Sequence, residues 1–118
     1  RDPRTYGGVP RQVLRKMSPT IKYLQEYLRS KDYQGGNPTP YFHKLVEEVG
    51  ELSRAILLEE PHTDGVNIKD TVDEEIWDVI YYALCVANEL GVDMDEVIKL
   101  KEDYNNKRYN PESRYDPK

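Results

Sequence analysis

Between Thr71 and Gly91 the chain places Val72, Ile76, Val79, Ala83, Val86 and Leu90 at intervals of three and four. That spacing lines one side of a helix. Thr71 with Glu74 three residues on is a capping box, and Gly91 is a helix-terminating glycine. The same punctuation recurs along the chain. Ser18-Pro19 opens a first helix carrying Ile21, Leu24 and Leu28, which should end before Gly35-Gly36. Thr39-Pro40 opens a second, expected from about Tyr41 to Glu60 and stopped by Pro61. Asp93 with Glu96 opens a fourth, running to about Arg108 and ended by Asn110-Pro111. His62 to Lys69 reads as a polar loop, and no strand-like alternation stands out. The expectation is an all-α protein, a four-helix bundle of residues 18–109. Residues 1–17, with Pro3, Gly7, Gly8 and Pro10, read as an extended or mobile arm, and 110–118 as an irregular tail.

The third helix is apolar nearly all round after Asp78, with Trp77, Tyr81 and Leu84 opposite the Val72 stripe. A second buried face is therefore expected there, and with it a dimer interface, with base stacking by Trp77 or Tyr81 as the alternative. One domain of 118 residues that is only 37% hydrophobic would gain from such a partner.

Charge narrows the function. The net charge of -5 hides an asymmetry. Arg1, Arg4, Arg11, Arg15 and Lys16 make the first segment basic. Residues 47–103 set a large excess of Asp and Glu against Arg54, Lys69, Lys99 and Lys101. A body this acidic argues against a nucleic-acid partner and suits a divalent cation. The single Cys85 excludes an internal disulfide framework and a cysteine zinc site. The run from Ile76 to Ala87, broken by Asp78, is too short to span a membrane. No basic-then-apolar leader opens the chain, so a cytoplasmic location is expected.

On a wheel of about 100° per residue, Leu45, Val49, Leu52 and Ile56 form the apolar stripe of the second helix. Glu48 falls ~60° and Glu51 ~120° to one side of Leu45. In the third helix Glu75 falls ~60° and Asp78 ~120° from Val72, again to one side. Each helix thus carries an i, i+3 carboxylate pair at the same offset from its stripe. Two antiparallel helices packed by those stripes would bring the pairs together. Carboxylates beside a core are costly unless paired or bound to metal. All-oxygen ligation suits Mg²⁺ or Mn²⁺. No histidine lies three residues after either glutamate, unlike the di-iron bundles. Glu47, Glu59, Glu60, Asp73 and Glu74 read as solvated surface or as first-turn partners of a helix dipole, with Glu47 bordering the cluster. His43, before Lys44, reads as a surface or packing side chain, with a place near phosphate as the alternative; His62 reads as a structural or solvated loop residue and Cys85 as a buried side chain. Gly35-Gly36 is followed by Asn37-Pro38 and no lysine, so it is a plain loop and not a Walker A cradle.

Glu47-Glu48-Val49-Gly50-Glu51, a spacer, and then Glu75-Ile76-Trp77-Asp78 resemble the MazG nucleotide pyrophosphohydrolases of the all-α NTP pyrophosphatase superfamily. Lys44-Leu45-Val46, Leu90-Gly91-Val92-Asp93 and Lys101, Asn105, Arg108 and Tyr109 extend the likeness over roughly residues 20–109. One departure is Asn110, which separates Tyr109 from Pro111. The resemblance implies a helical bundle that assembles as a homodimer or homotetramer. It also implies Mg²⁺-dependent hydrolysis of nucleoside triphosphates between the α and β phosphates, in the clearance of non-standard or surplus nucleotides. By position it implies metal ligands at Glu48, Glu51, Glu75 and Asp78, and an outer carboxylate at Glu47 that orients or deprotonates water. Phosphate contacts are implied at Lys44, Lys101, Asn105 and Arg108. The alternatives are a selective dUTPase-like or dCTPase-like hydrolase and a non-catalytic helical interaction module.

Overall fold

In the computed structural model, residues 5–6, 9–10, 18–109 and 112–116 are described. Two short strands come first: β1 (Thr5–Tyr6) pairs antiparallel with β2 (Val9–Pro10). The rest of the expected arm lies outside the described residues. Four helices follow: α1 (Ile21–Lys31), α2 (Thr39–Leu57), α3 (Val72–Glu89) and α4 (Met94–Tyr109). The all-α expectation holds for everything from residue 18 onward.

The caps explain where the helices begin. Thr20, and not Ser18, caps α1: its hydroxyl accepts the Tyr23 N–H at 3.0 Å. α2 begins at Thr39 rather than Tyr41, because Asn37 Oδ1 accepts the Thr39 N–H and Pro40 occupies the first turn. It ends at Leu57, three residues before the expected end. Thr71 caps α3 as expected, accepting the Glu74 N–H at 3.2 Å. Glu74 reaches back to the Asp70 N–H at 3.3 Å, one residue beyond the usual partner. Gly91, at φ 68°, adopts the left-handed conformation that closes α3.

α3 is the central element. It runs antiparallel to α2: Tyr82 stacks on Tyr41, Glu75 and Asp78 lie near Glu48, and the Val72 N–H reaches Pro61 O. It is also antiparallel to α1. Gln25 Nε2 donates to Asn88 Oδ1 at 3.0 Å near one end, and the Tyr81 hydroxyl donates to Asp32 at the other. Gln25 also donates to Val92 O and accepts the Met94 N–H, so one side chain ties α1 to the turn that starts α4. The core is small: Leu28, Tyr41, Leu84 and Cys85 are buried, with Ile21, Leu24, Tyr81, Tyr82, Val86 and Met94 packed around them.

This arrangement corrects the expected core. Val49 is 50% exposed and Ile56 63%, while on α3 Ile76 is 46%, Ile80 42% and Leu90 59% exposed. Leu84 and Tyr81, expected on a face reserved for a partner, instead pack inside the chain against α1. The cause is the breadth of the apolar arc. α3 is apolar on both sides of its carboxylates, and α1 occupies the side with the aromatic residues. The Ile76–Ile80–Leu90 side is left facing outward, and Val49 and Ile56 of α2 are likewise exposed. No described helix is long and apolar enough to cross a membrane.

Candidate active site

Antiparallel packing of α2 on α3 brings Glu48, Glu75 and Asp78 together, with one oxygen from each carboxylate within 4.8 Å of the others. All three are half-buried. Their elements explain why. α2 turns Glu48 inward between Leu45 and Leu52. On α3, Glu75 and Asp78 sit three residues apart, one turn before Tyr82, whose ring packs on Tyr41 of α2. Gly50, one turn before Arg54 and Ala55, has nothing close to the position its Cβ would take.

The electrostatics are those of a charge cluster without a counter-ion. Burial is the leading cause that raises the Glu48 carboxyl, and Asp78, Glu51 and Glu47 add to it against Lys44. Glu75 is raised by burial and then by Asp78, Glu48, Glu74 and Glu51. Asp78 is raised by burial and by Glu74, opposed by Lys69. No described cation bridges the three. Lys44, one turn before Glu48, is ion-paired with Glu47 at 3.3 Å. Three converging, half-buried carboxylates form a hard-oxygen donor set, which fits Mg²⁺ or Mn²⁺.

The other expected site residues fall into two groups. Glu47 and Glu51 are exposed on α2 beside the triad, and the charge of Glu51 still acts on Glu48 and Glu75. Lys101, Asn105 and Arg108 are elsewhere. α4 packs against α1, and there Lys101 lies 5.0 Å from the Tyr104 ring, Asn105 faces Glu102, and Arg108 donates to the Tyr104 hydroxyl at 2.8 Å. Each of these contacts stays within α4, and none of them reaches a triad carboxylate.

Several polar partners were not foreseen. Glu89 is 5% exposed, yet its carboxylate accepts the N–H groups of Gln34 and Gly36 at 2.7 and 2.8 Å. It pins the left-handed Gly35-Gly36 loop. The signal was an acid inside an apolar helix end, with a glycine pair elsewhere whose amides need acceptors. Asp73, read as surface, accepts the Thr63 N–H and the His62 ring at 2.8 Å each, which lowers its carboxyl below the usual range. His62 and Asp73 thus fold the α2–α3 loop back onto α3. His43 is exposed, with its ring tilted against Phe42.

The MazG nucleotide pyrophosphohydrolase domain matches residues 37–110, which holds the triad, Lys44 and the α4 residues. The chain belongs to the MazG family. Its fold is similar to two crystal structures of iMazG from Vibrio DAT 722, the Ntag and Ctag forms, each at 38% identity. The first likeness covers 78% of this chain and 99% of that one at a TM-score of 0.67, and the second 73% and 97% at 0.65. No curated protein matches the chain.

Proposed function

We propose that this MazG-family protein hydrolyses nucleoside triphosphates between the α and β phosphates, releasing a monophosphate and pyrophosphate. The observation that carries the reading is the half-buried triad of Glu48, Glu75 and Asp78, with oxygens within 4.8 Å and no bridging cation among the described residues. In this reading these three and Glu51 hold Mg²⁺, with Mn²⁺ as a substitute. The bound ion supplies charge neutralisation for the phosphate oxygens and acidifies water. Glu47, adjacent in sequence to Glu48 and exposed, orients or deprotonates the attacking water. Lys44 already leans over this edge and shifts from Glu47 to phosphate when a triphosphate arrives. In-line attack then needs positioning and neutralisation, which these residues provide without a covalent intermediate.

In this reading Lys101, Asn105 and Arg108 reach the site from α4 of another copy. The outward apolar strip of Val49, Ile56, Ile76, Ile80 and Leu90 supports such a homodimer or homotetramer. Removal of non-standard or surplus nucleotides in the cytoplasm is the role proposed for the activity.

The test is turnover of a panel of standard and damaged (d)NTPs with Mg²⁺, with products separated by chromatography. Monophosphate plus pyrophosphate, lost in Glu48→Gln, is the expected result. Orthophosphate plus diphosphate would overturn the cleavage position. Absence of both turnover and metal binding would favour the interaction module.

A further inference from the structure

Asp32 closes α1, where its backbone N–H returns to Leu28 O at 2.7 Å. Its side chain leaves α1 and accepts the hydroxyl of Tyr81, half-way along α3. Tyr81 lies one turn after Asp78, so this bond reaches the edge of the carboxylate triad. A partly buried phenol needs a partner for its hydroxyl, and a carboxylate is a strong one.

The ring so held sits at the centre of an aromatic row. Trp77, which precedes Asp78, meets Tyr81 edge-on with centroids 5.8 Å apart. Tyr82 is tilted against Tyr81 at 5.0 Å and stacks on Tyr41 at 6.2 Å. Lys44 Nζ lies 5.9 Å from the Tyr82 ring. On the other side Lys31 Nζ lies 5.5 Å from both the Tyr81 and Tyr27 rings. Trp77, 37% exposed, forms the outer rim. The row therefore runs from the rim past Asp78 to the lysine that faces Glu47.

We propose that Asp32 is a positioning residue for nucleotide binding: by holding the Tyr81 hydroxyl it fixes the Trp77–Tyr81–Tyr82 wall against which the nucleoside of a triphosphate packs. The proposal rests on the nucleotide reading above. Asp32 touches neither metal nor substrate and acts through Tyr81. Because it is anchored on a helix end, the wall is set before the ligand arrives, which lowers the cost of binding.

The experiment compares Asp32→Ala, Asp32→Asn and Tyr81→Phe in the full chain. Readouts are KM and kcat on the best (d)NTP of the panel, and Mn²⁺ affinity by calorimetry. A third is Trp77 emission, the signal of the chain's single tryptophan, titrated with the α,β-imido analogue of that nucleotide. Asp32→Ala and Tyr81→Phe should each raise KM and the analogue Kd about three- to tenfold, with the effect on kcat and Mn²⁺ affinity under twofold. Combined, they should do no more than either alone. Asp32→Asn should keep near-normal KM, since its amide oxygen still accepts the hydroxyl. Tyr81→Phe removes one oxygen and keeps the ring, so it remains informative if Asp32→Ala fails to fold. Unchanged KM and Kd in Tyr81→Phe, with an active wild type, overturns the positioning role alone. A wild type that neither binds Mn²⁺ nor hydrolyses any (d)NTP overturns the nucleotide reading and this role with it.

Discussion

Neutralising Glu48 should make the metal-free protein more stable, although the side chain is half-buried and central to the site. Two unit charges at the 4.8 Å outer limit of the triad repel by about 3.5 kcal/mol at an effective dielectric of 20 and by about 0.9 kcal/mol at that of water. Water reaches this triad, so a value near the lower limit applies, about 1 kcal/mol per pair. Glu48 faces two such neighbours. Glu48→Gln keeps the shape and removes both repulsions, a gain of about 1–2 kcal/mol, set against an amide that finds fewer partners than water gave it. For a chain of this size 1 kcal/mol moves Tm by roughly 3–6 °C. The assay is thermal unfolding in EDTA at one fixed protein concentration, wild type against Glu48→Gln. The variant should melt several degrees higher. Adding Mn²⁺ at a hundredfold its Kd should raise the wild type by about 2.7 kcal/mol through linkage and move the variant far less, reversing the order. A variant that melts lower in EDTA would show that the carboxylates are not in net repulsion, and the argument for a cation site would lose its physical basis.

The acid side of the same cluster has a defined sign. Folding raises Glu48, Glu75 and Asp78, so the folded chain binds more protons, and the triad's contribution to stability in EDTA is greatest below the ordinary carboxylate range. It is lost as pH rises through the raised folded values. Tm from pH 4 to 7, wild type minus Glu48→Gln/Glu75→Gln/Asp78→Asn, should fall with pH in EDTA, and saturating Mn²⁺ should reverse the slope; a difference flat in pH would refute the shifts. Burial pushes the Cys85 thiol up to about 11, so a thiol-disulfide reagent at pH 8 should react slowly with native protein and rapidly in guanidinium; equal rates would place Cys85 at the surface. Ile80→Glu on the outward strip should convert the proposed homodimer or homotetramer to a monomer by light scattering and raise KM through loss of the proposed α4 contacts; a wild type that scatters as a single 13.8 kDa chain would refute the interface.

The helices were legible because their signals are local. Thr71, Glu74 and Gly91 act within a turn of themselves, and no distant contact is needed to read them. Pairing of Glu48 with Glu75 and Asp78 was legible for a related reason: equal offsets on two helices make the pairs meet whenever the helices pack antiparallel. What each helix faces was not local. With Val72 at zero, the arc that α3 buries runs through Tyr81 at ~180°, Cys85 at ~220° and Asp78 at ~240°. The apolar stripe read from spacing is centred almost opposite. Both arcs are apolar, and only the presence of α1, held by Gln25 and Asp32, decides which is covered first.

That displacement changes the chemistry as well as the packing. Read from the stripe, Asp78 borders a core and is solvated on its other side. Read from the fold, it lies within the covered arc between Tyr81 and Tyr82, which is why burial, ahead of any neighbouring charge, is the leading cause of its shift. A carboxylate so placed raises the cost of an empty site, and a bound cation removes it. The outward strip adds the complementary constraint. Ile76 and Ile80 sit on the same two turns as Glu75 and Asp78, on the opposite arc. A second copy that covers them therefore grips α3 at the level of the triad, and any shift of that contact moves the carboxylates with it. In the proposed oligomer metal affinity and subunit association should accordingly be coupled, each changing the other by the same factor.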